Sequence, residues 1–217
     1  MSESRYPVFF EETFLHEGYF QDLPEDKGNW YDGKLYGTIC GITARDHIKE
    51  FMVAKQLYNL GKRELLKEYA MKFYEKKGYW DDRFDEIIDS SLAYKLFDLG
   101  VNMGSRTSIK ILQKTLNKHY GIDITPTGDL DLRTLVEANT AYYRPHLGKY
   151  DVPPVEGESI LYACYVFEAK KYYTSLKGFG KFGRNWLRRL AKIMNNSPDK
   201  IDIAIQARPT EKIKGVI

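Results

Sequence analysis

Two acidic residues near the start of the chain, Glu17 and Asp26, have the side chains that glycoside hydrolysis requires. That reaction needs a carboxylic acid to protonate the leaving oxygen. It usually also needs a second carboxylate, which either activates water or stabilises the cation-like sugar. Glu17 would end an opening helix that contains Phe9, Phe10 and Phe14. Apolar surroundings of this kind raise a carboxyl pKa and favour an acid that stays protonated near neutral pH. By spacing alone, the pair is more typical of solvated surface charges than of a catalytic pair.

The segment from residue 22 to residue 43 is the exception in a chain that otherwise reads as helical. It is dense in Gly, Asp, Asn and Pro, and its Asp32-Gly33 pair predicts the tight turn of a small irregular β-hairpin. Residues 35–40 would form the returning strand. Asp26 lies at the entry to this hairpin, which would swing it back towards the end of the first helix.

From Arg45 onward, apolar residues recur at helical spacing, which predicts a mainly α protein. One helix is predicted over residues 90–103, and a turn over residues 125–131 would place Asp129 or Asp131 at the cap of another helix. The tail after Pro198 alternates weakly and favours an extended arm.

Composition excludes several other functions. A net charge of +3 over 217 residues is too mild to indicate a nucleic-acid partner. The four histidines show no metal-ligand spacing, so neither a metal nor another cofactor is predicted. Cys40 and Cys164 lie in apolar stretches and are interpreted as buried thiols.

The N-terminal residues lack a basic region followed by an apolar one, and no run of about 18 apolar residues occurs. We therefore expect synthesis in the cytoplasm without a signal peptide, and no integral membrane segment. If the substrate lies in the cell wall or periplasm, a holin or a secretion system would have to release the protein.

Several short motifs follow one another in order along the chain. They lie at residues 16–28, 38–43, 79–80, 96–104, 111–116, 128–135 and 179–190. Together they resemble glycoside hydrolase family 108, whose members read Glu-Gly-Gly-Tyr, then Pro-x-Asp-x-Gly-Gly, then Thr-x-x-Gly-Ile-Thr. The resemblance covers about residues 9–194. It departs from the family at Tyr19, which replaces a Gly, at the extra residues 29–37, and at Asn185, which replaces a Gly in the closing motif.

This resemblance implies a lysozyme-like helical fold and an N-acetylmuramidase that cleaves the β-1,4 bond between N-acetylmuramic acid and N-acetylglucosamine. Glu17 falls on the catalytic acid of the family and Asp26 on the Asp that follows the Pro. Thr38 or Thr43 would complete the site. The glycan strands of peptidoglycan would be the partner, bound in a long open groove.

Further residues are candidates for contact with the sugars. Tyr36 and Trp80 have rings that can stack on a sugar, although aromatic residues are more often core. Asp98 and Asn102 lie one turn apart on a helix and would reach sugar hydroxyls or N-acetyl groups. The alternative for these two is a buried polar pair between helices. Residues 184, 188 and 189 are arginines that indicate a solvated basic face.

The predicted organisation is a lysozyme-like catalytic region at 9–104, a helical peptidoglycan-binding region at 105–196 packed with it into one globule, and a tail at 197–217. The rival to an enzyme is a non-catalytic wall-binding protein that keeps the groove, with Tyr19 blocking catalysis. Some family members are described as secretion activators and others as phage endolysins, and the sequence does not separate these roles.

Overall fold

The structure, a computed structural model, describes residues 4–144 and 159–191, and for residues 15–17 it describes the backbone alone. Eight α-helices dominate this part of the chain. They are α1 (Tyr6–Glu17), α2 (Ile48–Asn59), α3 (Arg63–Lys76), α4 (Ser90–Met103), α5 (Ser105–Tyr120), α6 (Leu132–Tyr143), α7 (Ile160–Ser175) and α8 (Phe179–Ala191). The mainly α prediction is confirmed. The predicted extended arm after Pro198 lies outside the described residues.

Two short hairpins separate α1 from α2, where one was predicted. In chain order, the antiparallel pairs are β1 (Trp30–Tyr31) with β2 (Lys34–Leu35), then β3 (Thr38–Ile39) with β4 (Ile42–Thr43). The first turn is the predicted Asp32-Gly33, where φ is 47° and 71°. The second turn is Cys40-Gly41, where φ is 50° and 75°. The single returning strand predicted over 35–40 is wrong, because positive φ at Cys40 turns the chain into a second hairpin.

An aromatic cluster forms the core between α1 and α4. The ring of Trp80 lies at its centre, 5.0 Å from that of Tyr6 and 5.7 Å from that of Phe97, measured between centroids. Phe9 and Phe84 pack edge-on against the same indole. Large rings remove much apolar area from water when they are buried, and edge-to-face contacts between the rings add to the resulting stabilisation. This cluster fixes α1 against the centre of the protein.

Helix α4 is the central helix, and its bounds match the predicted 90–103. Asp89 caps it by accepting a hydrogen bond from the backbone N–H of Leu92 at 3.0 Å. The helix packs against α1, α5 and α7. The predicted boundary at Gly104 thus lies between two helices in direct contact. The division into regions at 9–104, 105–196 and 197–217 stays a prediction.

Caps predicted from the sequence also appear further along. Asp131 accepts a hydrogen bond from the N–H of Thr134 at 2.7 Å and caps α6. Cys40 and Cys164 are both buried, as predicted. Burial raises the pKa of the Cys164 thiol to about 11.

None of the described helices has the length and hydrophobicity needed to cross a bilayer.

A buried ionic cluster attaches α8 to α4. The guanidinium of Arg189 lies 2.9 Å from Asp98 Oδ1 and also donates to the backbone carbonyl of Asp98. Lys95 donates to the carbonyl of Arg189 at 3.1 Å, and all three side chains are buried. The interpretation of Arg189 as part of a solvated face is therefore wrong. Two motifs of the family resemblance, at 96–104 and 179–190, meet in this pair.

We expect Arg189→Ala to lower the free energy of unfolding by about 3 kcal/mol, because it removes an ion-pair partner from the buried Asp98 carboxylate. Urea denaturation followed by circular dichroism measures the loss. Arg188→Ala is the matched control, since Arg188 is exposed on the same helix and should change stability by no more than about 0.5 kcal/mol. Equal losses in the two variants would contradict a structural ion pair.

Candidate active site

The backbone places Glu17 as the last residue of α1, as predicted. Gly18, at φ 62°, ends the helix and donates its N–H to the carbonyl of Phe14 at 3.2 Å. Phe10 and Phe14 of the same helix are buried in the core. The Glu17 side chain lies outside the described part of the chain, so its role as the acid stays a prediction.

Asp26 is held by hydrogen bonds to both of its carboxylate oxygens. It precedes a one-turn 3-10 helix, Lys27–Asn29, and caps it by accepting from the N–H of Gly28 through Oδ1 at 2.9 Å. Its Oδ2 accepts from Nε2 of Gln21 at 3.1 Å. The side chain is half-buried. Two donors from different directions fix the orientation of the carboxylate, which a positioned catalytic group requires.

Asn29 is the centre of the network that supports Asp26, and it is fully buried. Its Nδ2 donates to Gln21 Oε1 at 3.2 Å and to the carbonyl of Leu23 at 3.0 Å. Its Oδ1 accepts from the hydroxyl of Thr38 at 2.6 Å. A continuous path of hydrogen bonds therefore runs from Thr38 through Asn29 and Gln21 to Asp26.

The backbone of the same residues closes this network. Gln21 and Thr38 exchange two hydrogen bonds, at 2.7 and 2.9 Å, which join the segment after α1 to β3. The carbonyl of Asn29 accepts from the N–H groups of Tyr36 and Gly37. Gly37 has φ 96°, and a Cβ there would lie 2.7 Å from the carbonyl oxygen of Gln21. A larger residue would thus force the two segments apart.

The two candidate threonines have different positions. Thr38 is buried within the network, whereas Thr43 is half-buried beside the Asp26 turn. A Cβ on Gly28 would meet both Asp26 Oδ1, at 3.2 Å, and the Thr43 methyl, at 3.3 Å. Thr43 is therefore the threonine whose side chain approaches this turn from outside the network. We retain both residues as predicted site residues and expect the substrate-facing role at Thr43.

The hydroxyl of Thr43 is itself oriented by a neighbouring charge. It donates to Asp46 Oδ2 at 3.0 Å, and Arg45 forms an ion pair with the same carboxylate. The hydrogen bond from Arg45 holds the pKa of the Asp46 carboxyl below its ordinary value. The backbone N–H of Arg45 donates to the carbonyl of Gly28, which attaches this group to the Asp26 turn.

The two aromatic candidates for sugar contact differ in their exposure. Trp80 is 7% exposed and enclosed by core rings, so the prediction that it stacks on a sugar is wrong. Tyr36 is half-buried; its ring packs edge-on against Phe51 at 6.2 Å, and the ammonium of Lys55 lies 5.4 Å from its centre. A sugar contact at Tyr36 stays a prediction.

The two polar candidates on α4 also differ in their exposure. Asp98 is fully buried and bound to Arg189, so the prediction that it reaches sugar hydroxyls is wrong. The alternative, a buried polar pair between helices, holds for Asp98 but not for its partner in that pair. Thr13 of α1 donates to the same carboxylate. Asn102 is exposed, and its Oδ1 accepts from the hydroxyl of Tyr173 at 2.7 Å. Its contact with substrate stays a prediction.

Tyr19, the departure from the family pattern, packs against α1. Its ring lies edge-on to that of Phe14, with centroids 5.3 Å apart, and the guanidinium of Arg63 lies 5.4 Å from its centre. Its backbone carbonyl accepts from the N–H of Cys40 at 3.2 Å. The ring therefore extends the aromatic core at the end of α1.

Two cavities occur elsewhere in the described part of the chain. One, of about 250 Å³, borders Tyr79, Arg83 and Arg106, and the other, of about 610 Å³, borders Asp89 and Tyr142. Neither is lined by the residues around Asp26, so the long open groove stays a prediction. Among the described side chains, no group of three or more His, Cys, Asp or Glu is placed to hold a metal ion.

Sequence reasoning missed Gln21 and Asn29. Asn29 lies among the residues taken as an insertion, and a polar side chain in a glycine-rich segment carries no signal that it is buried. Gln21 lies four positions after Glu17, and this proximity in sequence was the one available hint.

Comparison with known proteins identifies the class. Residues 10–104 match the family model described as Glycosyl hydrolase 108. The solved structure of Brucella abortus SagA is similar in fold, with a TM-score of 0.57 and 18% sequence identity over 94% of this chain and 95% of that chain. No curated protein matches the chain.

The predicted family is thus confirmed for residues 10–104, which include most of α1, both hairpins and α4. Residues 10–104 are a glycosyl hydrolase 108 region, and the lysozyme-like helical fold is confirmed. The match indicates a lysozyme-like peptidoglycan hydrolase.

We expect Asn29→Ala to lower the free energy of unfolding by about 2–3 kcal/mol, since Thr38 and Gln21 would lose buried hydrogen-bond partners. Urea denaturation of the purified protein measures this loss. Asn59→Ala removes the same group from an exposed helix end and should cost no more than about 0.5 kcal/mol. An Asn29 variant as stable as this control would rule out the proposed role of the network.

Proposed function

We propose that this protein is an N-acetylmuramidase, which hydrolyses the β-1,4 bond between N-acetylmuramic acid and N-acetylglucosamine in peptidoglycan. Glu17 is the general acid and Asp26 is the second carboxylate. The observation that carries the proposal is the oriented Asp26 carboxylate. It is bound through Gln21 to the segment that directly follows Glu17.

The chemistry assigns a distinct step to each carboxyl group. The Glu17 carboxylic acid protonates the glycosidic oxygen as the bond to the sugar carbon breaks. Asp26 faces the cation-like sugar and either removes a proton from the attacking water or stabilises the positive charge. A carboxylate with both oxygens hydrogen-bonded needs little reorganisation to perform either step.

The remaining candidate residues contribute to substrate binding. Thr43 presents an oriented hydroxyl beside the Asp26 turn, and Thr38 supports the turn through Asn29. Tyr36 and Asn102 contact the glycan. Peptidoglycan glycan strands are the partner, no cofactor takes part, and a holin or a secretion system releases the protein from the cytoplasm to the cell wall.

The rival function is a non-catalytic wall-binding or secretion-activator protein, in which Tyr19 blocks the site. The packing of the Tyr19 ring against Phe14 and Arg63 favours the enzyme, since these contacts account for the ring without placing it against Asp26.

Glu17→Gln should lower the release of reducing muramic acid ends from purified sacculi by about 100-fold or more, because an amide cannot donate the proton. Glu64→Gln is the control, as Glu64 is an exposed residue of α3. Equal release by wild type and Glu17→Gln would remove Glu17 as the acid. Binding of sacculi without cleavage at any pH would favour the rival function.

Asp26→Asn should reduce cleavage by a similar factor, about 100-fold, while Asp22→Asn, at an exposed neighbour, leaves it unchanged. Proton NMR of the first product formed by wild type then assigns the role of Asp26. Inversion at the anomeric carbon means that Asp26 activates water, and retention means that it stabilises or attacks the sugar. Full activity of Asp26→Asn would contradict both roles.

A further inference from the structure

An exposed tryptophan stands at the edge of the Asp26 turn. Trp30 opens β1, and 40% of its surface is accessible to solvent. Its partner across the hairpin, Leu35, is 38% exposed, and Leu23 is 57% exposed. Large apolar side chains grouped at the surface of one short segment indicate a binding surface.

The indole is held in place. Its Nε1–H donates to the carbonyl of Pro24 at 2.7 Å. Its backbone N–H donates to the carbonyl of Lys27, which ends the 27–29 turn. Because the polar edge of the ring is bound to protein, little side-chain entropy remains to be lost when a ligand covers a face of the ring. Among the described residues, no aromatic ring or cation lies against that indole.

The position of Trp30 is coupled to that of Asp26. The two residues flank the same three-residue turn, with Asp26 before it and Trp30 after it. The N–H of Asp26 donates to the carbonyl of Leu23, so a tight turn precedes the 27–29 turn, and the indole hydrogen bond to Pro24 joins the two turns. A polymer bound across Asp26 would therefore continue onto the surface that Trp30 occupies.

We propose that Trp30 is a stacking platform for an N-acetylhexosamine ring of the glycan strand, at a subsite next to Asp26. The apolar face of a pyranose ring matches the flat, fixed indole, and the hydroxyl groups at the rim of the sugar need polar neighbours. Exposed charged side chains of the preceding turn provide them: Glu25 and Lys27. This inference rests on the proposed glycan substrate.

The charges around the hairpin disfavour an anionic membrane as the ligand. Among the exposed charged side chains of this region, Glu25 and Asp32 are acidic and Lys27 and Lys34 are basic, so the formal charges of these four cancel. Surfaces that insert aromatic residues into anionic lipid carry an excess of Lys and Arg. A neutral surface with a single oriented indole fits a sugar ring better.

The test measures binding without cleavage. In the full-length Glu17→Gln protein, a linear tetramer of N-acetylglucosamine and purified glycan strands are titrated while intrinsic fluorescence and calorimetry are followed. Adding Trp30→Ala should raise Kd by about 5- to 10-fold, and Trp30→Phe by less, because a smaller ring keeps part of the contact. Circular dichroism verifies that each variant is folded.

Tyr31→Ala is the matched control. Tyr31 follows Trp30 in β1, so it lies on the opposite face of the hairpin, and it is 39% exposed. It should change Kd by less than about twofold. An equal loss in Tyr31→Ala and Trp30→Ala would mean that the intact hairpin is needed and that the indole has no specific role, which overturns the inference.

The other outcomes separate this inference from the proposed function. If Trp30→Ala binds glycan as well as its parent while wild type cleaves sacculi, the proposed stacking role of Trp30 is wrong and the proposed enzymatic function is supported. If binding depends on Trp30 but wild type cleaves nothing, the stacking role of Trp30 is supported and the proposed catalytic function is wrong. Absence of glycan binding by the parent protein overturns the platform, as does Trp30-dependent binding to phosphatidylglycerol vesicles alone.

Discussion

Asn29 is the residue on which the region between α1 and α2 depends. This region has only four two-residue strands, so helical or sheet hydrogen bonds satisfy few of its polar groups. Buried polar groups without partners cost free energy, and a buried amide side chain offers both donors and acceptors. The backbone and side chain of Asn29 together bond to Gln21, Leu23, Tyr36 and Thr38, among others. The hydrogen bonds of Asn29 thus satisfy polar groups that helices or sheets satisfy elsewhere in the protein.

The consequence for function is that Asp26 is positioned by two layers of contacts. Its oxygens are bound by Gly28 and Gln21, and Gln21 is in turn bound by Asn29. Catalytic groups need this kind of support because small displacements cost large factors in rate. The aromatic core around Trp80 has a related role, since it fixes the helix whose last residue is Glu17.

The extra residues 29–37, which depart from the family pattern, contribute to both the network and the surface. Asn29 belongs to the support of Asp26, and the hairpin that follows presents Trp30 and Leu35 to solvent. The insertion is therefore integrated with the site. Its length is compatible with the fold because Gly37 allows β3 to return within hydrogen-bond distance of Gln21.

The sequence alone determined the features that depend on local physics and on motif order. The 90–103 helix, the Asp131 cap and the Asp32-Gly33 turn follow from periodicity, side-chain capping and positive φ. Tertiary structure decided which polar and aromatic residues face inwards. Asp98 and Trp80 have the residue types of a sugar site, yet Arg189 and the rings of α1 enclose them. Burial of these side chains depends on contacts between residues far apart in the chain, which spacing along one helix does not encode.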